Sequence, residues 1–325
     1  DGNSLPHVRL KRLAFSLERV DVPVVAMARV VDTTLLRVYL ECSPGLLGPL
    51  LRVKNYCDVE QSEGLLLEHQ RYMELVDLYH GKGLYRNALQ LLQARGGAAE
   101  GGPLCGTYAT VRYLVRLPAD QFELVLEYVR WPLESGVSRR QGHQSPSAAD
   151  DESAAFSDEE DWPTPATIVS MVFADDRPAA EGFPRTRVAS FLRQLSPRLV
   201  VQYLEYVFDA WQDEAAALHD DMIAAYLDLV GGVAGGGVRV VAAARQKLQQ
   251  FLRTSRFYSP EKSLVRLPDG DLFEERALVL SRLGRHEHAL SLLVFSVASI
   301  LLAEQYCVEN VDRCPGVFVQ LLKIL

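Results

Sequence analysis

A sixteen-residue segment that occurs twice constrains this 325-residue sequence more than any other feature. Asp77–Leu92 lies on Leu278–Leu293 with Gly83 on Gly284, Ala88 on Ala289, Leu89 on Leu290, and Leu91-Leu92 on Leu292-Leu293. The pattern reads as two helices joined by a tight turn. The glycine closes the first helix in a left-handed conformation that other residues adopt only at a cost. The alanine five residues later is small because two antiparallel helices cross closely there. The leucine pairs fill the groove to the next hairpin. A unit of this kind cannot bury its apolar face alone, so it stacks on similar neighbours. Gly83, Ala88, Gly284 and Ala289 are therefore expected to mark structural hairpin turns.

Helical signals surround both copies. Val25, Ala28, Val31, Leu35, Val38 and Cys42 recur at spacings of three and four, which predicts one inward stripe of a helix over Val24–Glu41. Pro44-Gly45 ends it. Ser62 reads as the N-cap of a second helix that turns Leu65, Leu66, His69 and Tyr72 inward. Asp120 with Glu123 makes a D-x-x-E start. Ser196-Pro197 and Ser259-Pro260 place an N-cap before a proline at the first helical position. Val238–Val241 is the only short candidate for a strand. The expected fold is all-α, an α-solenoid of stacked helical hairpins (TPR/clathrin-repeat-like).

Three stretches interrupt the pattern: glycine-rich Arg95–Gly106, read as a surface loop; the Ser/Ala/acid-rich segment 134–165, read as a mobile insertion; and Gly231–Gly237, a flexible connection. The expected organisation is an N-terminal hairpin block over 1–133, the insertion over 134–165, and a C-terminal hairpin block over 166–325. Seven acids and no base fall between Asp150 and Asp161, and they carry nearly all of the net charge of −8. The rest of the chain is within one charge of neutral, which argues against nucleic acid as a partner. Ser157, set against Asp158-Glu159-Glu160-Asp161, resembles an acid-directed phosphorylation site.

No chemistry-bearing constellation assembles. GGVAGGG is followed by Val238-Arg239 and lacks the Gly-Lys-Ser/Thr of a phosphate loop. His286-Glu287-His288 places its histidines two apart, on different sides of a helix, and reads as a hydrated turn with no third ligand. Glu274-Glu275 at a helix start complements the dipole. Tyr203, Tyr206, Phe208 and Trp211 read as core. Five scattered cysteines form no CxxC pair and suit free thiols in a reducing compartment. No catalytic, cofactor or metal residues are therefore expected. No basic and apolar leader opens the sequence. The longest uncharged run, the fifteen residues Ala289–Ala303, is short of the roughly 20 residues that cross a bilayer and reads as a buried helix. These features suit a cytoplasmic protein whose membrane association is peripheral and indirect.

Three blocks together resemble one family. The first is Asp32-Thr33-Thr34-Leu35-Leu36 through Tyr39-Leu40. The second runs from Leu50-Leu51 and Asn55-Tyr56-Cys57 to Tyr72-Met73-Glu74-Leu75, Lys82-Gly83-Leu84 and Ala88-Leu89-Gln90-Leu91-Leu92. The third takes in Lys247-Leu248, Phe251-Leu252, Tyr258 and Pro260, then Leu272–Ala277, Arg282–Glu287, Ala289-Leu290 and Ala303–Cys307. Gln202–Tyr206 sits in order between the second and third. The set is similar to the C-terminal solenoid of the vacuolar protein sorting thirty-nine (Vam six) family. The resemblance implies a scaffold subunit of the HOPS tethering complex, which bridges late endosomes, autophagosomes and vacuoles or lysosomes before fusion. It implies other subunits of that complex and a late-endosomal Rab GTPase as partners. Family members also carry a β-propeller and a zinc-binding module, which no residues here match, so a piece of a longer protein is expected.

On this reading, apolar positions of an end repeat (Leu302, Tyr306, Val317, Phe318, Leu321 and Leu322) dock a core subunit. The alternatives are the paralogous role in the early-endosomal CORVET complex, a regulator of Rab nucleotide exchange, and a generic coat or adaptor solenoid.

Overall fold

Helix boundaries here are set by short local signals, and the fold follows from them. The computed structural model describes residues 22–97, 104, 106–142, 163–231 and 238–325. Among these, every regular element is helical. The chain forms two units, the first reaching Leu117 and including Glu127–Pro132, the second comprising Pro118–Leu126 and everything described from Leu133 onward.

The first unit contains α1 (Val22–Cys42), a 3-10 turn at Pro44–Leu46, α2 (Leu47–Arg52), α3 (Val59–Glu68), α4 (Tyr72–Gly81), α5 (Tyr85–Gly96) and α6 (Tyr108–Val115). Helix α1 does not present the stripe that its apolar spacing predicts. Val25, Val38 and Cys42 are exposed, and the inward face is Asp32, Thr33, Leu36 and Leu40. Two polar residues are buried because the loop after α2 needs acceptors. The Asp32 carboxylate accepts the Tyr56 N–H at 2.7 Å, and the Thr33 hydroxyl accepts the Asp58 N–H at 3.0 Å. Helix α3 starts earlier than expected, because Asp58 is the N-cap and accepts the Gln61 N–H at 3.1 Å. Ser62 lies inside the helix, fully buried, while His69 is exposed.

The repeated hairpin is present twice. Gly83 and Gly284 have φ of +73° and +71°. The same pair of hydrogen bonds closes each turn: Leu84 N–H to Tyr79 O (2.8 Å) with Gly83 N–H to His80 O (3.1 Å), and Arg285 N–H to Leu280 O (3.0 Å) with Gly284 N–H to Ser281 O (3.1 Å). Ala88 and Ala289 are fully buried, as are Leu89 and Leu290. A further turn of this type joins α3 to α4, where Gln70 (φ +56°) takes the glycine's place and Arg71 N–H bonds Leu66 O at 2.8 Å. The sequence gives no sign of it, because glutamine is not a left-handed residue by habit. Arg95–Gly106 is not a simple surface loop. Leu104 and Gly106 are buried, and Gly106 N–H bonds Gly96 O at 3.1 Å; 98–103 and 105 lie outside the described residues.

The second unit opens with a 3-10 turn at Ala119–Gln121, which takes the place of the D-x-x-E start, and α7 (Phe122–Gly142) follows, its stretch Glu127–Pro132 being counted with the first unit. Helix α7 runs past the point where the insertion was expected to begin, and α8 (Pro165–Phe173), capped by Thr164, starts at its far edge. The acidic run and Ser157 lie outside the described residues. Then come α9 (Pro178–Glu181), α10 (Arg185–Leu195), α11 (Pro197–Ala210), α12 (Ala216–Val230), α13 (Val238–Thr254), α14 (Pro260–Arg266), α15 (Phe273–Arg282), α16 (His286–Ser291), a π-turn at Leu292–Ser296, α17 (Ile300–Asn310) and α18 (Val317–Ile324). Val238–Val241 is helical, not strand. Ser196 and Ser259 precede their helices as expected. Of the aromatic set, Tyr203 is fully buried while Tyr206, Phe208 and Trp211 are half-buried.

Within each unit the principal helix contacts join elements no more than three apart in chain order. Each layer is buried by its immediate neighbours, which makes each unit an all-α stack of the solenoid kind.

Candidate partner-binding surface

The six positions expected to dock a partner fall on α17 and α18, and packing there divides them. Helix α17 turns Ala303, Tyr306, Cys307 and Asn310 inward at spacings of three and four. Helix α18 turns in Val317 and Leu321. With Ala277, Leu280, Ala289, Leu290 and Leu293, all of these side chains except Asn310 form one apolar cluster. Tyr306, Val317 and Leu321 are thus core, and Leu302 is half-buried against it. Phe318 and Leu322 are exposed, Leu322 at 74%.

A polar network locks this core. The Tyr306 hydroxyl and His286 Nδ1 are 2.8 Å apart, the Ser281 hydroxyl donates to Asn310 Oδ1 at 2.6 Å, and Asn310 Nδ2 donates to Tyr306 O at 2.8 Å. Burial pushes the Tyr306 phenol up to about 12 and holds the His286 imidazole below its ordinary value. His286 therefore belongs to the interior, not to a hydrated turn, while His288 is exposed. The Cys307 thiol donates weakly to Val317 O at 3.8 Å and is raised by burial, an inert structural thiol. Cys57, Cys307 and Cys314 are buried or half-buried and Cys42 is exposed, all as free thiols; Cys105 lies outside the described residues.

The run Ala289–Ala303 is not one buried helix. Helix α16 passes into the π-turn, Val297 N–H bonds Leu292 O, Ala298 is left-handed at φ +55°, and Ser299 caps α17 by accepting the Leu302 N–H at 3.3 Å. Wide turns of this kind redirect side chains. The run's hydropathy conceals that Phe295 (70% exposed), Ile300 and Leu301 (78%) face outward; Val308 on α17 and Phe318 and Leu322 on α18 are exposed as well.

Glu275 is fully buried and accepts from Arg245 Nε at 2.7 Å and Nη2 at 3.1 Å, so it does more than complement a helix dipole. Among the described residues no three His, Cys, Asp or Glu side chains gather as a metal site, and no helix is long and apolar enough to cross a membrane.

Known proteins resemble this chain over most of its length. The family model for vacuolar sorting protein 39 domain 1 matches residues 31–133. Over 88% of its length the chain is 32% identical to a Vam6/Vps39-like protein of Homo sapiens. It is 30% identical over 92% to a vacuolar protein sorting-associated protein 39 homolog of Drosophila melanogaster. It is also 26% identical over 85% to the human transforming growth factor-beta receptor-associated protein 1. The chain spans 31% of the length of the first two relatives and 29% of the third. No solved structure matches it. With repeats, core and relatives in agreement, the chain belongs to the Vam6/Vps39 family of vacuolar sorting proteins.

Proposed function

We propose that this chain is a non-catalytic scaffold segment of a HOPS-type tethering subunit, acting where late endosomes and autophagosomes fuse with the vacuole or lysosome. It holds a core subunit of the complex and, directly or through the rest of the protein, a late-endosomal Rab GTPase. Its place is cytoplasmic and peripheral to the membrane. The observation that carries the reading is the exposed apolar side chains of α17 and α18, fixed beside a fully packed core. Support also comes from relatives named for vacuolar sorting and vacuolar morphogenesis, none of those compared being named for a catalytic activity.

The full-length protein carrying Leu301→Asp and Leu322→Asp tests it. Recovery of the core subunits of the tethering complex on affinity purification should fall at least tenfold with the thermal midpoint unchanged. Full recovery would overturn the placement. A second reading, an early-endosomal CORVET-type subunit, is favoured by the match to the receptor-associated protein. Recovery of an early-endosomal Rab in place of a late-endosomal one would select it.

A further inference from the structure

In the second unit, α13, α15 and α17 line a shallow, open trough. Its floor is apolar: Ala277 and Leu293 are buried, and Leu278 and Leu302 are half-buried. Its charged lining is unbalanced, with two carboxylates, Glu274 and Glu309, against the single guanidinium of Arg253. Each carboxylate is held by a neutral amide: Gln249 Nε2 donates to Glu274 Oε2 at 2.9 Å, and Gln305 Nε2 to Glu309 Oε1 at 3.0 Å. Among the described residues neither forms an ion pair, so both keep acceptor capacity for an incoming cation. The frame is fixed beforehand. Next to Glu274, the buried Glu275 clamps α15 to Arg245 of α13 through two hydrogen bonds, so docking would cost little ordering entropy.

An apolar floor beside two amide-held carboxylates suits a long cationic side chain, whose methylene stem lies on leucine while its head reaches oxygen. The stripes on α15 and α17 run at helical spacing, the geometry that receives an amphipathic helix. Anionic lipid and nucleic acid are disfavoured by the same two charges. We infer that this trough docks a helix of a partner protein bearing a central leucine flanked by lysine or arginine. The inference rests on the scaffold reading above and adds the chemistry of one partner.

Two fluorescent synthetic helical peptides test it on the full-length protein. They share a central leucine and differ only in carrying lysines or glutamates three and four residues to either side. Anisotropy titration should show the lysine peptide binding at least tenfold more tightly. Glu274→Gln with Glu309→Gln should remove that preference without moving the thermal midpoint. Equal binding of the two peptides, or an undiminished preference in the double variant, would overturn the trough. Affinity purification of the unmodified protein separates the two readings. If core subunits are recovered while the peptides fail to discriminate, only the trough falls. If they are not recovered, the scaffold reading falls, whatever the peptides do.

Discussion

At Gly83 and Gly284 a Cβ would meet nothing within 4 Å, so alanine there is penalised by backbone conformation alone. Gly83→Ala should cost about 1 kcal/mol by urea titration, the usual expense of a left-handed L-residue. Gln70 is the converse. It already occupies that region, so Gln70→Gly should stabilise by about 0.5–1 kcal/mol. Gly96 differs in kind, since its Cβ would lie 2.6 Å from Gly106 O and 2.8 Å from Trp131 Cη2. Gly96→Ala should cost about 2–3 kcal/mol as overpacking, and trimming Trp131 should recover only part of it because the carbonyl cannot retreat.

Three histidines, His219 and His286 buried and His80 half-buried, set a pH response. His80 lies 3.3 Å from the Tyr113 hydroxyl, His219 2.9 Å from the Ser255 hydroxyl, and His286 2.8 Å from Tyr306. Burial holds all three below the ordinary value of about 6.5. The unfolded chain then binds protons first as pH falls through that value, so their stabilisation is present above about pH 6.5 and is lost below it. Urea midpoints should decline from pH 7 to 5, and His286→Gln should flatten that decline. The turn glycines were legible in the sequence because only glycine takes that conformation freely; Gln70 and the inward histidines carry no such mark.

Between elements, the Arg245–Glu275 pair makes an asymmetric prediction. The Glu275 side chain is 0% exposed and the Arg245 side chain 37% exposed. Removing arginine strands a carboxylate in the interior with only Gln249 Nε2 (2.8 Å) to hold it. Removing the acid leaves a guanidinium that can swing into water. Arg245→Met should therefore cost about 3 kcal/mol, near the lower end for a broken buried pair. Glu275→Gln should cost clearly less, and chemical denaturation of both variants reads the difference. Helices were readable from apolar periodicity and Ser-Pro starts, but their faces less so. Helix α1 buries Asp32 and Thr33 because a distant loop needs acceptors, and the run after Ala289 breaks at a π-turn that hydropathy cannot foresee.

Across the whole molecule, the family blocks and repeated hairpins gave away the class of protein, whereas the sequence did not separate the buried from the exposed among the six end-repeat positions. Apolar content is the same for a side chain that closes the core and one that faces solvent; the phase of α17 and α18 decides between them. That phase yields a test needing no partner. Leu321→Ala removes buried methyl groups from the cluster with Tyr306 and Val317, and should cost about 2 kcal/mol, the low end for such a cavity, because α18 can settle inward. Leu322→Ser and Leu301→Ser alter side chains 74% and 78% exposed, and should change stability by less than about 0.5 kcal/mol. The same two substitutions should weaken recovery of the core subunits, as Leu321→Ala should not at temperatures where it remains folded. Thermal unfolding of the three variants beside affinity purification reads both axes. If Leu322→Ser destabilised as Leu321→Ala does, the surface assigned to partners would instead belong to the core.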